Sequence, residues 1–243
     1  AEARRAIEVA CSHGWGIGEL EARQLLAECA IVHDAKAARE AAAALAARAL
    51  ELGSPRFAAE AKLLSLASAS SFDVVALEEL AASHDVAPCA ARRARALLGE
   101  EPAPGDEVDR AVLARSPVRA AVRLRTIDPN GGGPWRRGWG VDVARKLLLR
   151  SDGTTVALER HALLLRMLLV LADHGGAATF EQIAENVWGI RSFHPLRDAN
   201  RVRVTMHRLR ALVETSDGEP KHIVLRDAGY AIGSGPFRIV EPA

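Results

Sequence analysis

The sequence predicts a mainly α-helical protein that carries a smaller α+β domain in its second half. The first 115 residues are rich in alanine, and their apolar residues recur at helical spacing. The second half alternates three helical segments with short β-like runs that are separated by turn residues. A chain of 243 residues is long enough for two such domains. We therefore expect an all-α domain over residues 1–115, a connecting segment over 116–135 and an α+β domain over 136–243.

The first domain is expected to be a helical repeat or a helical bundle. Glycine and proline divide it into helices at about residues 2–12, 18–32, 35–52, 55–69, 73–83 and 88–98. Two pairs of segments are similar in amino-acid sequence, and the members of each pair lie about 40 residues apart. This offset is the length of a helix-pair repeat. The pattern is similar to the tetratricopeptide-like repeats of bacterial signalling regulators, without their aromatic signature, and a plain bundle is the alternative. Such a domain would bind a protein partner, a signal or a second copy of the chain.

The segment 198–214 predicts a helix with one apolar side and one basic side. Val202, Met206, Leu209 and Val213 recur at i, i+4, i+7 and i+11, the spacing of a helix side that faces a core. The rest of the helix surface carries Asn200, Arg201, Arg203, Val204, His207, Arg208 and Arg210. Guanidinium groups supply both charge for phosphates and paired donors for base edges. This composition is typical of a DNA recognition helix, and a solvated arginine-rich surface helix is the alternative.

The segments around this helix have a definite order. Residues 159–173 predict a buried central helix that ends before Gly175 and Gly176, and a short helix follows with Thr179 as N-cap and Gln182 completing a capping box. Residues 222–226 and 230–232 predict a hairpin around the turn 227–229. Residues 139–143, 146–150 and 154–158 can form a small antiparallel sheet before the central helix. Helix, short helix, basic helix and hairpin is the order of a winged helix-turn-helix.

Over about residues 136–240 the chain resembles the OmpR/PhoB-type winged helix-turn-helix regulators of bacterial transcription. The matching segments are Val187-Trp188-Gly189, the run from Val202 to Arg210, and the run from Ile223 to Tyr230. The resemblance implies a sequence-specific double-stranded DNA-binding regulator in signal transduction. Its recognition helix, about 198–214, would lie in the major groove, and its wing, about 222–232, would lie at the minor groove. RNA polymerase is a further partner to which the resemblance points.

The resemblance also implies roles for individual residues. Base contacts would come from Asn200, Arg201, Arg203, Val204 and His207, phosphate contacts from Thr205, Arg208 and Arg210, and a wing contact from Arg226. Surface ion pairs with Glu214 or with an acid of the preceding helix are the alternative for Arg208 and Arg210. Arg203 stands where an acid is common in the family, so the base preference should differ from that of well-known members. The wing carries Asp227-Ala228 where glycine and a small residue are common, and this acid would partly neutralise the neighbouring Arg226.

The charge is unevenly distributed along the chain. Residues 1–120 hold 14 Lys/Arg against 18 Asp/Glu, a net of −4, whereas residues 121–243 hold 18 against 13, a net of +5. The basic half is the one that contains the predicted recognition helix. A net of +5 is modest for nucleic-acid binding, so cooperative or dimeric binding is expected to compensate.

Other classes of protein are disfavoured by the sequence. It has no glycine-rich phosphate loop, no nucleophile–base arrangement and no metal-ligand spacing, so neither an enzyme nor a cofactor or metal site is expected. Cys11, Cys29 and Cys89 are expected to be small buried hydrophobic residues in a reducing compartment. No apolar run reaches the roughly 18 residues of a membrane span, so we expect a cytoplasmic protein without a membrane partner. The competing hypothesis is a protein-interaction or scaffold module in which the winged helix docks on protein.

Overall fold

The chain divides into two units, residues up to 123 together with Ala243, and residues 124–242. The structure is a computed structural model that describes residues 2–99, 107–129, 131, 137–214 and 221–243. Its described part is mainly helical, with two small sheets. The division falls inside the connecting segment predicted at 116–135. Residues 100–106, which begin the acidic stretch 100–109, lie outside the described residues. Residues 130 and 132–136, in and directly after the Gly/Pro-rich stretch 128–134, lie outside them as well.

The first unit consists of eight helices in the part of the chain that the structure describes. They are α1 (Glu2–Ser12), α2 (Gly16–Ile31), α3 (Ala35–Glu51), α4 (Pro55–Ala67), α5 (Val74–Ala82), α6 (Pro88–Leu97), α7 (Glu107–Ala114) and α8 (Pro117–Ala120). The six predicted helices are confirmed, and proline or a capping residue fixes the start of four of them, α3 to α6. The Asp34 carboxylate accepts N–H bonds at the start of α3, and Asp73 does the same for α5. Pro55 and Pro88 occupy the first turns of α4 and α6.

Small side chains allow these helices to pack closely. Ala38, Ala42 and Ala49 of α3 are buried, and α3 contacts both α2 and α4. Helix α4 also contacts α2 and α6, so alternate helices meet as well as consecutive ones. Both a stacked helix-pair repeat and a helical bundle contain contacts of this kind.

A buried ionic cluster joins four helices of the first unit. Arg93 Nη1 lies 2.6 Å from Glu28 Oε1 and 3.5 Å from Glu60 Oε2, and Arg93 Nε also pairs with Asp109. Burial is the largest effect on Glu60 and raises the pKa of its carboxyl. Burial acts in the same direction on Asp109, but the hydrogen bonds and charges of Arg93 and Arg92 outweigh it and lower the pKa of that carboxyl. Of the three carboxylates in the cluster, Glu60 is the least closely paired with Arg93.

The expectation that the cysteines are buried is wrong for two of them. Cys11 and Cys29 are exposed, and Cys89 is partly exposed. In α2 the buried positions include Ala27 and Ile31, and Cys29 lies midway between them in sequence, on the opposite side of the helix. In α1 only Ala10 is buried, which leaves Cys11 outside the narrow contact side.

The second unit contains three helices and two small sheets within its described residues. Its helices are α9 (Ala162–Asp173), α10 (Phe180–Trp188) and α11 (Arg197–Val213). Its strands are β1 (Val122–Ile127), of which the first two residues belong to the first unit, β2 (Trp139–Asp142), β3 (Leu147–Leu149), β4 (Thr155–Ala157), β5 (Ala177–Thr179), β6 (Ile223–Arg226), β7 (Gly229–Ile232) and β8 (Phe237–Pro242). The predicted helices and the predicted hairpin are confirmed, although the central helix begins three residues later than expected.

The larger sheet has the strand order β1-β8-β2-β3-β4. Strands β2, β3 and β4 pair antiparallel, as the sequence predicts. Strand β8, which the sequence analysis did not predict, pairs parallel with β2, with Trp139 opposite Phe237. The sheet is therefore mixed and larger than the predicted three-stranded sheet. Strand β1, which lies in the segment predicted as a connection, forms one edge of this sheet.

The smaller sheet places the β6–β7 hairpin beside the start of α10. Its order is β5-β7-β6, and all its pairs are antiparallel. Gly229 makes this arrangement possible, because a Cβ atom at that position would lie 2.0 Å from the carbonyl oxygen of Ala178. Strand β5, which the sequence analysis did not predict, thus connects the hairpin to the N-cap residue of α10.

One apolar core holds the second unit together. Met167, Leu168 and Leu171 of α9 are fully buried and belong to the same cluster as residues of α10, α11 and both sheets. Ile183 of α10 is fully buried in this cluster as well. Helix α9 is thus the central helix that its apolar sequence predicts. Across the described parts of both units, no helix combines the length and the apolar character that a membrane span requires.

Candidate nucleic-acid interface

Helix α11 has the two different sides that its sequence predicts. Val202, Met206, Leu209 and Val213 are each 0% exposed and face the core. The outer side, which we call the basic side, exposes Asn200, Arg201, Arg203, Val204, His207 and Arg208. At 3.6 residues per turn these positions cover about half of the helix circumference. The apolar stripe therefore fixes the rotation of α11, and the basic side follows from that rotation.

The start of α11 is fixed by Asp198. Its carboxylate accepts an N–H bond from the His194 backbone at 2.8 Å and a bond from Arg197 Nε at 2.9 Å. The hydrogen bond from Arg197 contributes most to lowering the pKa of Asp198 to about 2. Asp198 is the only acidic residue within Arg197–Val213, and its side chain is buried. The basic side consequently carries no acidic residue.

The end of α11 is bonded to both sheets. Arg150 Nε donates to the carbonyl oxygen of Leu212 at 2.7 Å, and Arg210 Nε donates to that of Ile223 at 2.8 Å. Glu214 Oε1 accepts backbone N–H bonds from Lys221 and His222. Arg210 thus contacts the hairpin backbone in place of the alternative ion pair with Glu214.

The position of α10 against α11 depends on a complete capping box. The Thr179 hydroxyl accepts the N–H of Gln182 at 3.1 Å, and the Gln182 side chain accepts the N–H of Thr179 at 2.9 Å. Gly189 ends the helix in the left-handed conformation, with φ of 71°. The predicted capping box is confirmed and fixes the start of the helix that packs on α11, and Gly189 fixes its end.

Three arginines of α11 stack on three aromatic rings of neighbouring elements. The Cζ atom of Arg201 lies 4.9 Å from the ring centroid of Trp188, that of Arg203 lies 5.2 Å from Phe180, and that of Arg210 lies 5.1 Å from Tyr230. Such contacts restrict the guanidinium groups while leaving their N–H edges available. The sequence analysis did not single out these aromatic residues as part of the site. Local spacing carries no signal for a contact between separate elements.

Two predicted phosphate contacts differ in their surroundings. Arg208 is exposed and has no hydrogen bond or ion pair to any described residue. Thr205 is only 8% exposed, and its hydroxyl donates to the carbonyl oxygen of Arg201 at 2.9 Å. The structure therefore places Thr205 on the core side of the helix, apart from Arg208.

Arg226 is the last residue of β6 and is exposed at the hairpin tip. It lies opposite Gly229 in the hairpin register, and Asp227 and Ala228 form the turn. No ion pair joins Arg226 to Asp227 within the described residues, so the expected partial neutralisation by that acid does not take the form of a contact. Leu225 beside it is 58% exposed.

No protein-family model matches this chain, and no curated protein and no solved structure matches it. Among the residues that the structure describes, no group of His, Cys, Asp or Glu side chains is arranged to hold a metal ion. The basic side of α11 and the neighbouring hairpin tip thus form the candidate interface.

Proposed function

We propose that the second unit is a winged helix-turn-helix domain of the OmpR/PhoB type, and that the protein is a sequence-specific DNA-binding regulator of transcription. Helices α10 and α11 would be the helix-turn-helix pair, and the β6–β7 hairpin would be the wing. One observation carries the proposal: α11 buries an apolar stripe and exposes arginine, asparagine and histidine on a side that has no acidic residue. A duplex is the partner whose charge and hydrogen-bonding edges complement that side.

The residue types on the basic side match the chemistry of a major groove. An arginine bonds guanine O6 and N7 with two parallel donors, and an asparagine bonds adenine N6 and N7 in the same way. Val204 is 48% exposed among these polar residues, which suits contact with a thymine methyl group. Arg208, which has no partner among the described residues, is available for a phosphate. The buried Thr205 is not included among the proposed contacts.

The hairpin tip would supply a second contact. Arg226 is exposed there, and the negative potential of a narrow minor groove attracts arginine. Arg210 supports this contact indirectly, because it bonds the backbone of β6 at Ile223. The hairpin is thereby held by the same helix that would occupy the major groove.

The helical first unit is proposed to bind a protein partner or a second copy of the chain. The net charge of +5 over residues 121–243 is small, so one copy would bind a duplex weakly at physiological salt. Two copies on neighbouring half-sites would double the phosphate contacts and add specificity. This role follows from the weak binding that one copy of the proposed DNA-binding domain would show.

Recovery of bound sequences from a randomised duplex pool tests the proposal. The full chain should enrich a defined sequence, and the double variant Arg203→Ala with Arg208→Ala should not. The matched control removes two exposed arginines of α1, Arg4→Ala with Arg5→Ala, and should enrich the same sequence as the unmodified chain. No enrichment by the unmodified chain would contradict the proposal and favour a protein partner for the basic side.

A further inference from the structure

We infer that Arg203 recognises a guanine in the major groove, and that Phe180, Tyr230 and Arg210 are positioning residues that hold its guanidinium group. This inference rests on the proposed function and adds to it the base that one residue selects. It depends on a stack of two adjacent rings with an arginine at each end, which joins α10, α11 and β7.

The stack contains four side chains, and we call it the arginine–aromatic stack. Arg203 Cζ lies 5.2 Å from the centroid of the Phe180 ring. The Phe180 ring meets the Tyr230 ring at 76° with the centroids 5.6 Å apart, which is an edge-to-face contact. Arg210 Cζ lies 5.1 Å from the Tyr230 centroid, and Arg210 Nε bonds the carbonyl oxygen of Ile223. The stack thus begins at a backbone hydrogen bond and ends at an exposed guanidinium group.

The inner part of the stack is rigid and the outer end is accessible. Tyr230 is 5% exposed and its strand is paired on both sides, so its ring has little freedom. Phe180 is half-buried and lies directly after the N-cap residue Thr179. Arg203 is exposed. A guanidinium group that packs one face on a ring keeps its N–H edge free, and it loses less conformational freedom when that edge forms two bonds.

The location of Arg203 favours a base over a phosphate. It lies three residues after Asn200 and four before His207, so these three polar side chains follow one another along one side of α11. It belongs to the first half of the helix, and the amino-terminal residues of a recognition helix are the ones that approach base edges. A phosphate needs only a positive charge, whereas a planar fork held in one orientation is what the O6 and N7 pair of guanine requires.

The test measures binding of the full chain to the duplex enriched from the randomised pool, with each guanine replaced in turn by 7-deazaguanine. This base lacks N7 and cannot accept the second bond. We expect one position at which the replacement lowers the affinity of the unmodified chain about tenfold. Inosine at that position should leave the affinity unchanged, because it alters only the minor-groove edge. The variant Arg203→Ala removes the donors that would reach N7 and should show no loss with 7-deazaguanine there.

A second set of variants separates positioning from folding. Phe180→Leu keeps an apolar side chain but removes the ring under Arg203, so it should lose the tenfold sensitivity to 7-deazaguanine. Phe180→Tyr restores a ring and should restore the sensitivity. Arg208→Lys, on the opposite flank of the basic side and with no ring stacked on it among the described residues, should retain the sensitivity in full.

The outcomes distinguish this inference from the proposed function. Sequence-specific duplex binding in which Arg203→Ala keeps every 7-deazaguanine effect would overturn the assignment of Arg203 and leave the proposed function intact. The assignment of Arg203 would also be overturned, with the proposed function intact, if no guanine of the enriched duplex could be replaced by 7-deazaguanine with a loss of affinity. Retention of the sensitivity in Phe180→Leu would overturn the positioning role. Failure of the full chain to bind any duplex would overturn the proposed function, and this inference with it.

Discussion

Arg210 on α11 donates a 2.8 Å hydrogen bond from Nε to the carbonyl oxygen of Ile223, the first residue of β6. This bond joins the candidate recognition helix to the hairpin, whose tip carries Arg226. A charged donor to a backbone carbonyl is among the stronger hydrogen bonds in a protein. The geometry between the proposed major-groove and minor-groove contacts therefore depends on a residue that the resemblance assigns to a phosphate.

Replacing Arg210 with alanine should loosen the hairpin. The loss of the bond to Ile223 and of the stacking on Tyr230 should destabilise β6 by about 1–2 kcal/mol, which allows for the partial exposure of Arg210. Hydrogen exchange of the β6 and β7 amides should accelerate about tenfold. The control Arg208→Ala should leave these rates unchanged, since Arg208 has no partner among the described residues. Equal exchange rates in both variants would show that Arg210 does not hold the hairpin.

Replacing Thr179 with alanine should destabilise the second unit. The variant leaves the Gln182 N–H without its acceptor, which costs about 1 kcal/mol at a typical N-cap. Thr179→Ser keeps the hydroxyl and should stay within about 0.5 kcal/mol of the unmodified chain. Urea denaturation measures the difference in the free energy of unfolding between the variants. Hydrogen exchange of the α10 amides shows whether that difference arises in this helix. Identical stabilities of the alanine and serine variants would mean that the capping box contributes nothing.

Val204 should contribute to recognition of thymine. Replacing thymines of the enriched duplex one at a time by deoxyuridine removes only a methyl group, which is worth about 0.8 kcal/mol or roughly fourfold in affinity when buried. One such position should lose its effect in Val204→Ala. Binding measured at fixed salt checks this expectation. If Val204→Ala still responds to every deoxyuridine as the unmodified chain does, Val204 is not at a base edge.

Glu60 should make the stability of the first unit depend on pH. Its pKa is raised in the folded chain, so folding favours its protonated form. As the pH rises from the ordinary glutamate pKa to the raised value, the folded chain loses stability on account of this group. The Glu60→Gln variant has no carboxyl group at this position and does not lose this stability. Its free energy of unfolding, relative to that of the unmodified chain, should therefore increase as the pH rises through this range. Asp109, whose pKa is lowered, makes the folded chain lose stability as the pH falls. Both proteins contain Asp109, so its effect does not enter the difference between them. Urea titrations from pH 4 to 8 would show a constant difference if Glu60 were unperturbed.

The sequence predicts the parts of the fold that rest on local patterns. The stripe from Val202 to Val213 has helical spacing, and Thr179 and Gln182 have the spacing of a capping box. The buried side of α11 and the capped start of α10 therefore follow from local chain geometry alone. The pairing of Trp139 with Phe237 joins distant segments, and no local period encodes it.

The candidate site also contains features that local patterns predict and contacts between separate elements that local patterns cannot predict. The exposed arginines of α11 follow from the rotation that its apolar stripe fixes, whereas Thr205 stands at the boundary of that stripe and is buried. The stacking of Arg203 on Phe180 depends on how α10 crosses α11. Helical spacing indicates which residues of α10 share a side, and it cannot indicate that Phe180 contacts Arg203 of the next helix.

The salt dependence of duplex binding tests the central claim most directly. Fluorescence anisotropy of a labelled random duplex with the full chain should show an affinity that falls at least about tenfold between 50 and 200 mM salt. Arg208→Ala should weaken binding to all sequences and reduce the slope of log affinity against log salt by about 1. An affinity that is absent at 50 mM salt, or that does not change with salt, would contradict the assignment of α11 to DNA.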